Sequence, residues 1–265
     1  MWNITNRRIL QRVALVPALP LGALEFFRTK LQFTLDEMQT AVVVAAVVTA
    51  GGGDIILNCC RQWGKSTLVA GMLVYEAWSK PETLYLVVGP ATRQAAELIL
   101  KARVFVARLG IKVRGDGIHE HAIQLPNGSR IVAIPCKESS ARGYSAVNVL
   151  VMDEASQIPD EAYDVLRPSL AVSNGKTWLL STPFGKRGFH WDEWSGGDEL
   201  FARFTATAAD CARIGEKFLA RELARKGRAW MDQEYGCVFG DPVGVLFEEA
   251  LLDGAEFTDG LRLQL

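Results

Sequence analysis

Two segments of this chain carry the residue types that polyphosphate chemistry needs. The first is Cys59-Cys60-Arg61-Gln62-Trp63-Gly64-Lys65-Ser66-Thr67. A strand that ends in such a loop and opens onto a helix gathers backbone N–H groups and the positive end of the helix dipole at one point, where an anion is stabilised. In the pattern G-x-x-x-x-G-K-[ST] the lysine holds the terminal phosphates and the hydroxyl reaches magnesium. Gly64, Lys65 and Ser66 fill its second half, while Cys59 stands where the first glycine belongs. Arg61 would set a permanent cation beside a γ-phosphate; the plainer alternative is a surface arginine in a turn.

The second segment, Val149 to Ala155, is an apolar run closed by Asp153-Glu154. Two carboxylates at the C-terminal end of a strand lie where open α/β sheets bind ligands. Asp153 suits a magnesium shell, and Glu154 suits a general base that polarises water. A hydrophobic run ending in Asp-Glu is by itself only a strand end with a solvated turn; its coupling to Lys65 gives it meaning. Ser181-Thr182-Pro183 ends another apolar run with two hydroxyls, suited either to sensing a phosphate or to a plain turn. Arg142, on the Ser- and Gly-containing stretch Ser139 to Ser145, could reach a phosphate in its own or an adjoining subunit, or be a solvated cation. His119 and His121 alternate, but a metal site would need a third ligand. With three histidines and no G-x-S-x-G elbow, a His-based triad is unattractive.

These residues need a frame. At 265 residues, 49% hydrophobic and 22% charged, the chain has enough apolar content to build one sizeable core with a small appendage. A net charge of -1 argues against a uniformly basic, nucleic-acid-coating surface. Candidate local basic groups are Lys137, Arg142, Lys186, Arg187, Arg225 and Arg228. Five cysteines without a C-x-x-C pair fit neither a zinc ribbon nor a disulfide framework. A reducing cytoplasm is the expected compartment. The apolar stretch Val13 to Phe27 follows Arg7, Arg8 and Arg12 in signal-peptide order, but Pro17 and Pro20 interrupt it. Ala41 to Ala50 falls short of the roughly 20 residues that span a bilayer, so no membrane association is expected.

Thr34-Leu35-Asp36-Glu37 matches a capping box and predicts a helix from Leu35 to Ala50, ended by Gly51-Gly52-Gly53. Strands are predicted over Ile55 to Cys59, Leu84 to Val88, Val147 to Met152, Thr177 to Leu180 and Phe201 to Ala206. Helices are predicted over Ser66 to Ser79, Thr92 to Leu109, Gly215 to Gly227 and Trp230 to Tyr235. Ala122 to Leu125 and Arg130 to Ile134 flank Asn127-Gly128 as a hairpin. Alternating strand and helix imply a parallel sheet with crossover helices.

Taken together, the residues resemble the ATPase domain of phage large terminase subunits, the motors that package DNA into procapsids. The resemblance runs from about Leu35 to Phe247. It rests on Arg61 to Ser66, Gly89-Pro90 followed by Gln94, Arg142-Gly143-x-Ser145 leading into Val149 to Ala155, Ser181-Thr182-Pro183, and Gln233-Glu234-Tyr235 with Phe239 and Leu246-Phe247. It implies an α/β P-loop NTPase of the ASCE type, with a mainly parallel sheet flanked by helices and a small C-terminal lid. The expected divisions are a leader (1–33), an ATPase core (34–209), a helical lid (210–247) and a tail (248–265).

It further implies that Cys60 to Thr67 bind ATP, that Ser66 and Asp153 hold Mg²⁺, and that Glu154 activates water. Ser181 and Thr182 would couple hydrolysis to motion, and Arg142 would be a trans-acting finger in a homo-oligomeric ring. Gln39 matches the family's adenine-contacting glutamine, although Met38 replaces the usual aromatic before it. Double-stranded DNA, a portal protein and a small terminase subunit are the implied partners. The family's RNase H-like nuclease domain finds no counterpart in the short tail bearing Asp253, Glu256 and Asp259, so no DNA cleavage is expected. A helicase-like nucleic-acid-dependent ATPase and an inactive packaging scaffold are the competing readings.

Overall fold

A computed structural model describes residues 22–48, 53–117, 119, 121–137, 143–196 and 201–240. The expectations for Arg142, for Gly51 and Gly52, for residues 1–21 of the leader and for everything from Asp241 onward lie outside them.

Seven strands form one sheet: β1 (Asp54–Cys59), β2 (Leu84–Gly89), β3 (Ala122–Gln124), β4 (Arg130–Pro135), β5 (Val147–Asp153), β6 (Lys176–Ser181) and β7 (Phe201–Ala206), in the order β3-β4-β2-β5-β6-β1-β7. All pairings are parallel except the β3–β4 hairpin. The central strands read as continuous apolar runs because helices cover both faces. β6 lies between β1 and β5, bonded to both, which gives the ASCE strand arrangement.

One face is covered by α1 (Glu37–Val48), α2 (Lys65–Ser79) and α3 (Thr92–Arg108), and by the helical segment Gly22 to Lys30. On α3 the buried Ala95, Leu98, Ile99, Ala102, Phe105 and Val106 recur at helical spacing. α1 buries a continuous run from Ala41 to Ala46. The other face is covered by α4 (Asp160–Leu166) and α5 (Gly188–Ser195). After β7 come α6 (Glu216–Lys226), which buries none of its residues, and α7 (Arg228–Glu234). Tyr235 and Cys237 return to the core on the α2 side. Among the described residues no helix is long and apolar enough to cross a membrane.

The predicted capping box is displaced by two residues. α1 begins at Glu37, and its reciprocal bonds join Asp36 and Gln39: the Gln39 N–H donates to Asp36 Oδ1 at 2.8 Å, and the Asp36 N–H donates to Gln39 Oε1 at 3.2 Å. An aspartate caps as well as a threonine, and glutamine serves the third position as well as glutamate. Both registers satisfied the sequence pattern, and the later one keeps Thr34 and Leu35 outside the helix.

Candidate functional site

β1 ends at Cys59 and the chain turns through Gly64 (φ 103°) into α2, whose N-terminus carries no side-chain cap. The first amides of α2 therefore have neither intrahelical acceptors nor a cap, and remain free for an anion. The amide of Thr67, by contrast, donates to the Gly64 carbonyl at 3.0 Å. Cys59, Cys60 and Trp63 turn their side chains into the core, each 1% exposed, so only their backbone belongs to the loop. Burial pushes the Cys60 thiol up to about 12, which makes it inert at neutral pH.

Lys65 projects to Glu154, Nζ to Oε1 3.0 Å. Burial opposes its charge, but the carboxylates of Glu154 and Asp153 outweigh burial and hold the ammonium above its ordinary range. Asp153, 5% exposed at the end of β5, has an Oδ1 atom with no hydrogen-bond partner. Burial, with Glu154 adding to it, pushes its carboxyl up to about 6 despite Lys65. A buried, unsatisfied carboxylate oxygen is the type of ligand a hard divalent cation takes, and the free amides at the start of α2 suit the anion such a cation accompanies. The Ser66 hydroxyl at the start of α2 also has no partner among the described residues.

Glu154 adopts a left-handed backbone (φ 59°, ψ 46°), a conformation that costs a non-glycine residue about 1 kcal/mol. That turn brings the Ser156 amide onto Ser181 Oγ at 3.2 Å, while the two serine hydroxyls meet at 2.7 Å. Thr182 Oγ1 donates to the Cys59 carbonyl at 3.0 Å. Ser181 and Thr182 thus tie the end of β6 both to the phosphate loop and to the turn after Glu154.

Arg61 is engaged by α7. Its guanidinium pairs with the Glu234 carboxylate of α7, and its backbone N–H donates to the Glu234 carbonyl at 3.3 Å. Arg61, Gln62, Lys65, Glu154, Thr182 and Glu234 line one cleft of about 520 Å³, together with Gln94, Ser156 and Gln157. The sequence assigned no role to Glu234, because nothing in its surroundings along the chain signals a partner 173 positions away.

Gln39 is 2% exposed on the opposite flank of the loop, near Gly64. Of the candidate basic groups, Arg225 and Arg228 are already paired, with Glu222 and Asp232. His119 is held by Asp116 and Tyr144, and no group of three metal-ligating side chains occurs among the described residues.

The family model described as "Terminase large subunit, T4likevirus-type, N-terminal" matches residues 56–253. The ATPase domain of the Thermus phage P74-26 large terminase is similar at TM-score 0.69 and 19% identity, over 82% of this chain and 98% of that one. The large terminase of a thermophilic bacteriophage, solved in complex with ATP-gamma-S, is similar at TM-score 0.64 and 13% identity, over 78% of this chain and 53% of that one. The HK97 bacteriophage large terminase gives TM-score 0.57 and 18% identity, over 86% and 50%. The chain spans about half the length of these last two proteins, and at such identities the likeness is one of fold. No curated protein matches it by sequence.

Proposed function

The chain belongs to the large terminase subunit family, of the T4-like N-terminal type, and from that premise we propose that it is a magnesium-dependent ATP hydrolase whose turnover drives double-stranded DNA into a procapsid. The observation that carries this reading is the 3.0 Å Lys65–Glu154 contact beside the unsatisfied Asp153 Oδ1.

The Lys65 ammonium and the free amides at the start of α2 bind the terminal phosphates. As Lys65 turns to phosphate, the Glu154 carboxylate is released to accept the proton of the attacking water. Asp153 and Ser66 would hold Mg²⁺, which when bound neutralises charge building on the β- and γ-phosphates. Arg61 exchanges Glu234 for phosphate oxygen, so the lid responds to nucleotide. Ser181 and Thr182 relay the change to the neighbouring strands. Residues 34–209 serve as the motor core and 210–247 as its lid. The family resemblance supports Arg142 as a finger donated across a ring, a portal protein and small subunit as partners, and the host cytoplasm as the compartment.

Steady-state ATPase with linear duplex DNA tests the reading. Lys65→Ala and Glu154→Gln are each expected to lose at least about 100-fold, with Glu154→Gln still binding nucleotide. Equal background rates in both variants and the wild type leave only a non-hydrolysing scaffold.

A further inference from the structure

A buried carboxamide without a partner stands beside Ser181. Asn58, next to last in β1 and 0% exposed, has neither its Nδ2 nor its Oδ1 hydrogen-bonded among the described residues. Strand alternation fixes its direction: Ile55, Leu57 and Cys59 pack on the α2 side of the sheet and Ile56 on the α4–α5 side, so Asn58 faces with Ile56. On β6, Leu180 packs on the first side and Leu179 on the second, so Ser181 shares the face of Asn58. The two residues are register partners, one strand spacing of about 4.8 Å apart. The Ser181 hydroxyl is held by Ser156, whose amide donates to it at 3.2 Å and whose Oγ accepts its proton at 2.7 Å. Ser156 Oγ donates in turn to the Thr182 carbonyl at 3.1 Å. Ser156 thus offers Ser181 one donor and one acceptor, and the Asn58 carboxamide carries the same two functions.

We propose that Asn58 is a positioning residue for hydrolysis, the alternative partner to which Ser181 passes when Ser156 lets go. The inference rests on the nucleotide-hydrolase reading and extends it. Ser156 lies two residues after Glu154, in the turn that the left-handed Glu154 backbone begins. While the Ser156–Ser181 bonds hold, that turn is fixed to β6, and Glu154 moves only by its side-chain rotamer. Breaking the bonds with nothing to replace them would strand a buried hydroxyl, whose desolvation penalty keeps such a network in one state. With Asn58 alongside, the same event becomes an exchange: Nδ2 replaces the Ser156 amide, or Oδ1 takes the Ser181 proton. The turn then has two arrangements, and nucleotide at Lys65 selects between them by interacting differently with each. An amide left unpaired in the core is the cost of keeping the second arrangement within reach.

Thermal unfolding without nucleotide, and steady-state ATPase of the full chain with linear duplex DNA, test this on three variants: Asn58→Val, Asn58→Thr, which has the same shape with a hydroxyl, and the smaller Asn58→Ala. Asn58→Val and Asn58→Ala are expected to melt at or above the wild-type temperature, because each removes an unpaired buried amide. Asn58→Val is expected to lower kcat about tenfold or more with KM within about threefold of wild type. Asn58→Thr keeps a donor and an acceptor and is expected to stay within about threefold of the wild-type kcat. A kcat for Asn58→Val within about threefold of wild type overturns the proposal, and so do equal losses in Asn58→Val and Asn58→Thr. Melting more than about 5 °C below wild type in both Asn58→Val and Asn58→Ala also overturns it, because the amide would then be holding the fold. A wild-type chain that hydrolyses no ATP overturns the hydrolase reading and this proposal with it; wild-type hydrolysis that Asn58→Val leaves intact overturns this proposal alone.

Discussion

Lys65 and Glu154 solve each other's problem before any substrate arrives: a nearly buried ammonium has a counter-charge at 3.0 Å, and the carboxylate proposed to activate water is held in place by it. Asp153 has no such relief. Its carboxyl sits at about 6, chiefly because it is buried, and a carboxyl raised in this way favours the folded state only while protonated. That contribution is complete below about pH 3.8 and is lost as pH rises through about 6, leaving a cost of at most about 3 kcal/mol at neutral pH. Asp153→Asn in EDTA should therefore be more stable than the wild type at pH 7.5 by about 1–3 kcal/mol, with the difference shrinking toward pH 4. Urea midpoints measured across that range decide it: a gap that does not change with pH refutes the account. The same variant is expected to lose hydrolysis, because the destabilising oxygen is the one proposed to hold the cation.

Elements set the positions of these groups through register. Asp153 lies opposite Leu180, and Asn58 opposite Ser181, so the ends of β5, β6 and β1 come level at one edge. Gly175 guards that alignment, since a Cβ there would meet the Val147 carbonyl oxygen at 2.1 Å. Gly175→Ala should cost at least about 3 kcal/mol or prevent folding; a melting temperature within 2–3 °C of wild type, roughly what 1 kcal/mol would give in a chain of this size, would show that the start of β6 is not pinned. The central strands were legible because both faces are buried, which makes each a plain apolar run. Phe201 to Ala206 matched residue for residue. α4 and α5 were not legible: they span seven and eight residues, too short for a helical period to stand out. Of the site, the phosphate loop and carboxylates were readable because each is contiguous in sequence. Glu234, and Arg213, whose guanidinium donates to the Trp63 carbonyl, were not, since each meets the loop from a position at least 150 residues further along.

At the scale of the whole molecule, the Arg61–Glu234 ion pair joins the phosphate loop to α7 beside the backbone bond from the Arg61 N–H to the Glu234 carbonyl. Arg61 is largely exposed, so the pair adds little to global stability. Its effect should be local. Glu234→Ala is expected to raise hydrogen exchange in residues 216–234 several-fold while leaving β1, β5 and β6 protected; unchanged exchange in that segment would show that it is held by packing and by the backbone bonds to the Glu234 and Tyr235 carbonyls instead. On the proposed reading nucleotide should narrow the difference between variant and wild type, because the wild type then gives up the Arg61–Glu234 pair that the variant already lacks.

The Thr182 hydroxyl rests on the carbonyl of Cys59, the last residue before the phosphate-gripping turn. A product leaving that turn needs no long chain of side chains to be felt in β6, since one hydrogen bond spans the gap. The travel such a link permits is only the slack between the adjacent strands β1 and β6. On the proposed motor reading, the rate of bond cleavage and any larger motion outside the sheet are then set by different parts of the chain, the one by the turn and the other by what lies beyond β6.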